Sequence, residues 1–177
     1  MKYLLLALSF ALPALCMAQK GQPFPSISGE LLKGGTATLP ENYSGKMTIV
    51  GMAWSKKSED ALKTWYEPLY DKFVLKRGIF DSDYDVQLCM IPMYIGLKQA
   101  AYESTMSTLR ESNRTDLFPY ILFYKGPIEP YDSKLGLVDK ATPYFFLVDE
   151  KGKIRHAFSG IFTETKMERL EEVISMK

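Results

Sequence analysis

Hydrophobic positions along this chain fall into blocks of different period. Residues 1–18 (MKYLLLALSFALPALCMA) are apolar from Tyr3 to Leu15, behind one positive charge at Lys2, and end in a small residue, Ala18. That layout is a secretory signal peptide, with an apolar part too short for a membrane span, and predicts cleavage after Ala18. A lipoprotein would instead use Cys16, but Leu15 is larger than the Gly, Ala or Ser wanted before a lipidated cysteine. Residues 19–46 mix Gly, Pro, Ser and Thr with short apolar stretches at Ile27 and Leu31-Leu32, which predicts a leading loop and a small β-hairpin.

The next blocks are longer. Residues 47–54 (MTIVGMAW) form a β-branched apolar run suited to a central strand buried on both faces of a parallel sheet. Leu62, Trp65, Leu69 and Phe73 then recur at helical spacing behind Ser58, Glu59 and Asp60. This predicts a helix over 58–74, capped by Ser58 and kinked near Pro68, which lacks a backbone donor. Residues 85–92 (DVQLCMIP) predict a second buried strand, and 97–109 a helix with Leu97, Ala101, Met106 and Leu109 near one face.

From 118 to 139, prolines, glycines and scattered aromatics predict an irregular insertion with one strand at 120–124. Residues 143–149 (PYFFLVD) and 153–158 (KIRHAF) predict a hairpin turned at Glu150-Lys151-Gly152, with Gly152 supplying a positive φ. Thr165 and Glu168 predict a capping box for a last helix with Met167, Leu170 and Ile174 on one stripe. A strand, helix, strand, helix, hairpin, helix order gives an α/β fold, a mixed sheet with helices on both faces.

Composition narrows the chemistry. With 177 residues, 46% hydrophobic and 24% charged, the chain is globular. Its 22 basic residues against 21 acidic ones, in no run of like charge longer than three, exclude nucleic acid as a partner, and loss of Lys2 makes the two counts equal. Cleavage would also remove Cys16, leaving Cys89 as the single thiol and no internal disulfide. Cys89 lies mid-strand between Leu88 and Met90, a place for inert packing. His156 alternates with Ile154 and Phe158 and is expected to share their face as a structural histidine. One His and one Cys far apart make no metal site, and no nucleophile elbow or nucleotide-binding glycine loop implies a cofactor.

The strand-to-helix junction at 54–60 and the Ala141-Thr142-Pro143 segment before the hairpin resemble the thioredoxin-like superfamily, in particular its secreted thiol-disulfide oxidoreductases. The resemblance implies a thioredoxin-like mixed β-sheet flanked by helices, with an N-terminal β-hairpin extension. The domain would run over 46–177, behind a signal peptide at 1–18 and an extension at 19–45, with the insertion at about 112–141. It also implies a cis-proline at Thr142-Pro143, facing the junction. Where that superfamily carries Cys-x-x-Cys, this chain has no cysteine: matching Trp54 to the family tryptophan gives Ser55 and Ser58, and matching the strand without gaps gives Lys57 and Asp60. A second likeness, at residues 64–68 (TWYEP), 135–137 (LGL) and 144–155 (YFFLVDEKGKIR), is to the mitochondrial ATP-synthase assembly factors with a thioredoxin-like fold, which bind a protein client without catalytic cysteines. His156 stands where that family commonly has Trp, and the N-terminus reads as a secretory signal, not a mitochondrial presequence.

Together these readings predict a redox-inactive, periplasmic protein that binds a protein or peptide client. Its face would be Trp54, Ser55, Lys57, Ser58, Thr142 and Pro143, with backbone beside the proline available to pair with an extended peptide. One alternative is a thiol-disulfide oxidoreductase or peroxidase-type enzyme working through Cys89. Another is a structural subunit whose Tyr-rich insertion, with Tyr120, Tyr124 and Tyr131, packs in a larger complex; the chain is 13% aromatic, and Tyr66 and Tyr70 also fall outside the strand patterns.

Overall fold

The computed structural model describes residues 19–76, 84–112 and 114–176; the signal-peptide reading at 1–18 lies outside them. Seven strands form one mixed sheet in the order β2-β1-β5-β4-β3-β6-β7. They are β1 (Ile27–Leu31), β2 (Thr36–Leu39), β3 (Met47–Ala53), β4 (Val86–Tyr94), β5 (Leu122–Lys125), β6 (Tyr144–Val148) and β7 (Ile154–Ser159). β3 runs parallel to β4 and antiparallel to β6, and every residue of it after Met47 is buried, as an apolar block with no polar alternation requires.

Among the described residues five α-helices pack on the sheet: α1 (Lys56–Lys63), α2 (Tyr66–Leu69), α3 (Tyr102–Arg110), α4 (Glu129–Leu135) and α5 (Glu164–Ser175). Two cores result. One holds Val50, Trp54, Cys89, Tyr131, Leu135 and Phe146; the other holds Ile49, Leu62, Trp65, Met106, Phe145 and Leu170. Trp65, fully buried, packs in tilted geometry against Phe145 at 4.8 Å and Phe158 at 5.3 Å and donates its indole N–H to the Gly160 carbonyl at 2.9 Å. Gly51 lets α1 approach β3: a Cβ there would stand 2.7 Å from Met90 Sδ and 2.9 Å from Leu62.

Several expectations change. The helix expected over 58–74 is three segments, α1, α2 and a π-helical stretch at Tyr70–Leu75. Pro68 cannot donate to the Thr64 carbonyl, so α1 ends at Lys63 and Pro68 falls in the first turn of α2, where no donor is needed. The cap of α1 is Ser55, whose extended backbone (φ −126°, ψ 161°) leaves the strand, not Ser58. The cap of α5 is Thr163, whose hydroxyl accepts from the Lys166 N–H, not Thr165. Leu97 opens a 3₁₀ turn, Gly96–Ala101, and is fully exposed, outside any buried helix face.

The described residues of the expected insertion form a 3₁₀ turn (Thr115–Tyr120), β5 and α4 in place of irregular chain. The N-terminal hairpin is part of the main sheet, because β1 pairs with β5 at Glu30↔Phe123 and Leu31↔Leu122. In the C-terminal hairpin Gly152 has φ +79°, as expected. A register shift between Leu147 and Val148 leaves Arg155 unpaired, so Ile154 turns into the first core with Ala157, and His156 shares a face with Phe158 alone.

Candidate functional site

The junction site is built where β3 gives way to α1. Ser55 Oγ accepts the Ser58 N–H at 3.1 Å, and Ser58 Oγ accepts the Ser55 N–H at 3.0 Å, a reciprocal capping box. Ser58 Oγ also accepts the Trp54 N–H at 3.2 Å and lies 3.1 Å from Ser55 Oγ. Ser55 Oγ donates its proton to the Lys140 carbonyl at 2.6 Å, which ties the helix start to the segment ahead of β6. The structure therefore places Ser55 and Ser58 face to face at the helix N-terminus, while Asp60 points away to Lys56 and Lys63.

The facing segment is organised by Asp139. Its carboxylate accepts from the Ala141 N–H at 2.8 Å and the Thr142 hydroxyl at 2.6 Å. The Thr142 hydrogen bond, then the Ala141 one, and the nearby charge of Lys57 hold this carboxyl below the usual range. The Asp139 N–H donates to the Tyr144 hydroxyl at 2.9 Å, and Tyr144 stacks on Trp54 at 5.7 Å. Thr142-Pro143 is trans; among the described residues the cis bond is Leu39-Pro40. Here the loop is shaped by the Asp139 turn, and the Pro143 carbonyl accepts from the Gly160 N–H at 3.0 Å.

The six residues nominated from the sequence are brought to one end of the sheet, at different depths. Lys57 is exposed, and Ser55 and Thr142 are half-buried. Trp54, Ser58 and Pro143 are buried and hold the face from below. Sequence reasoning missed Asp139, Lys140 and Tyr144. Asp139, three residues before Thr142-Pro143, was a legible signal, because an aspartate at that spacing caps a turn. It also missed the half-buried ion pair of Glu59 with Lys98, whose ammonium lies 4.4 Å above the Tyr94 ring and donates to the Met93 carbonyl at 3.1 Å.

Cys89 is remote from this junction. It is fully buried in β4, and burial pushes its thiol up to about 12. His156 is half-buried beside Phe158, at 5.7 Å between ring centres. Burial, with the positive charges of Arg169 and Lys20, holds it below its ordinary value. Among the described residues no group of three His, Cys, Asp or Glu is placed to hold a metal, and no helix is long and apolar enough to cross a membrane.

A thioredoxin-like sheet with a helix starting at this junction defines the class, and solved structures agree on the fold. A protein from Chlorobium tepidum described as thiol:disulfide interchange protein DsbE matches with TM-score 0.55 and 16% identity, over 88% of this chain and 94% of its own. The exposed lipoprotein thioredoxin Etrx1 from Streptococcus pneumoniae matches with TM-score 0.55 and 15% identity, over 84% and 99%. A thiol peroxidase from Chromobacterium violaceum matches with TM-score 0.52 and 15% identity, over 86% of each. No curated protein matches the chain. The family described as ATP10 protein matches residues 10–176, and the chain belongs to that family. This bears out the likeness to ATP-synthase assembly factors at residues 64–68, 135–137 and 144–155.

Proposed function

We propose that this is a thioredoxin-like protein of the cell envelope that performs no thiol chemistry and binds a protein client in an assembly or chaperone-like role. The observation that carries the reading is the Ser55–Ser58 pair. It occupies the helix start where a dithiol would need two sulfurs, and each hydroxyl is committed to backbone groups. A helix N-terminus activates a thiol by stabilising its thiolate; a serine hydroxyl there remains a cap. Membership of the ATP10 protein family supports a protein partner. The client would meet Ser55, Lys57 and Thr142 directly, on a platform held by Trp54, Ser58 and Pro143. Delivery to the envelope is the role of residues 1–18, by cleavage after Ala18 or by lipidation of Cys16.

The rival is an enzyme using Cys89. A thiol held near 12 carries a negligible thiolate fraction at neutral pH, and zero exposure denies a substrate disulfide access. The test is turnover of an insulin disulfide in the presence of a chemical reductant. The reading expects no rate above the uncatalysed one from the wild type or from Cys89→Ser. A wild-type rate that Cys89→Ser abolishes would replace it with the enzyme.

A further inference from the structure

We propose that the junction end of the sheet takes an extended, acidic segment of the partner protein, whose apolar side chains seat against Leu97 and Val138 and whose carboxylates pair with Lys57 and Lys140. This names the client chemistry of the proposed binding face and rests on that reading.

Leu97 is 100% exposed and Val138 78% exposed, the two most exposed large apolar side chains among the described residues. Both exposures are fixed by anchored neighbours. Beside Leu97, Ile95 packs against the core that contains Trp54, and Lys98 is pinned to Glu59 of α1 and to the Met93 carbonyl. Beside Val138, Leu137 is buried in the same core and Asp139 is held by Tyr144, Ala141 and Thr142. The strand order β4-β3-β6 sets their places: Leu97 leaves β4, Val138 leads into β6, and the Trp54–Ser58 junction stands between them. Crossing from β4 to β6 takes two strand spacings, about 10 Å, which three to four residues of extended chain cover.

The charge around these two side chains is positive on balance. Glu59 is neutralised by Lys98, Asp60 is shared by Lys56 and Lys63, and the anionic Asp139, tied to its own turn through neutral donors, offsets only one of the two lysines Lys57 and Lys140. Glu103 pairs with Lys125, and Glu129 opens α4 beside Tyr124, on β5, two strands from the junction. Lys57 and Lys140 are exposed and make no ion pair among the described residues, although Lys57 lies within electrostatic reach of Asp139. A segment that offered only apolar groups would leave two ammonium groups unpaired at the rim, whereas one with carboxylates complements both.

The probe is a fluorescein-labelled ten-residue peptide of leucines and glutamates, compared by fluorescence anisotropy with a leucine–lysine and a serine–glutamate peptide. The leucine–glutamate peptide is expected to bind at least about tenfold tighter than either control. L97S/V138S should weaken it about tenfold, and K57E/K140E should reverse the preference toward the leucine–lysine peptide. Equal affinity for the leucine–glutamate and leucine–lysine peptides, or unchanged binding by L97S/V138S, overturns the inference. Recovery of one envelope protein equally by the wild type and by a variant carrying all four substitutions overturns it too, while leaving client binding standing. Failure of the wild type to retain any envelope protein would overturn the client reading itself.

Discussion

Ser55 and Ser58 hold their hydroxyl oxygens 3.1 Å apart across the first turn of α1, each accepting the other's backbone N–H. When Trp54 is matched to the tryptophan of the thioredoxin-like family, these are the two positions of its dithiol, and here they carry a capping box. The geometry predicts that S55C/S58C gains an internal disulfide under mild oxidation, with no backbone rearrangement needed to bring the side chains together. Thiol titration should then find only Cys89 after denaturation of the oxidised variant. Three reactive thiols after the same treatment would mean that the junction does not hold the two positions at bonding distance.

Ser58 is fully buried, and its hydroxyl serves two backbone donors, those of Trp54 and Ser55. Ser58→Ala leaves both unpaired beneath the face, and a loss of about 2 kcal/mol in urea unfolding is expected. Ser58→Thr retains the hydroxyl but adds a methyl group in a filled site, so it should recover part of that loss at most.

The sheet was legible in the sequence because β3, β4 and the β6–β7 hairpin are apolar runs bounded by turn residues, and this pattern survives any detail of packing. Other elements were hidden by signals with two meanings. Pro130 and Gly136 look like loop residues, yet Pro130 sits in the first turn of α4 and Gly136, at φ +60°, ends it. β5 contributes only four residues, too short a run to show that it would join the N-terminal hairpin to the sheet. At the site, Ser55, Lys57 and Thr142 were read from the likeness to a known family. Lys140 could not be, because it joins through its backbone carbonyl, which any residue supplies. Trp54 reads in the sequence as contact surface, whereas its place under Tyr144 depends on a turn that brings residues 139–144 back over the junction.

Cys89 tests the thiol alternative from the protein's side. Burial keeps the thiol protonated and out of reach, so native protein at pH 8 should resist iodoacetamide for as long as it stays folded, and label fully in denaturant. Rapid native labelling would place Cys89 at an accessible surface.

His156 gives a pH signature. Its folded pKa lies below the ordinary 6.5, so the unfolded chain takes up the proton first and folding stability falls as pH drops below 6.5. Above that value the histidine is neutral in both states and the contribution is complete. His156→Gln removes this linkage, and its unfolding free energy should fall less steeply than the wild type's on the acid side of 6.5. Parallel curves would show that the histidine titrates alike in both states.

Client binding through the junction face and without a thiol is checked by quantitative recovery of the client from envelope extract, comparing the wild type with Cys89→Ala and with K57E/T142E. Cys89→Ala should recover as much client as the wild type, and K57E/T142E should lose most of it. Recovery that disappears with Cys89→Ala while K57E/T142E retains it would place client binding on the thiol and away from the junction face.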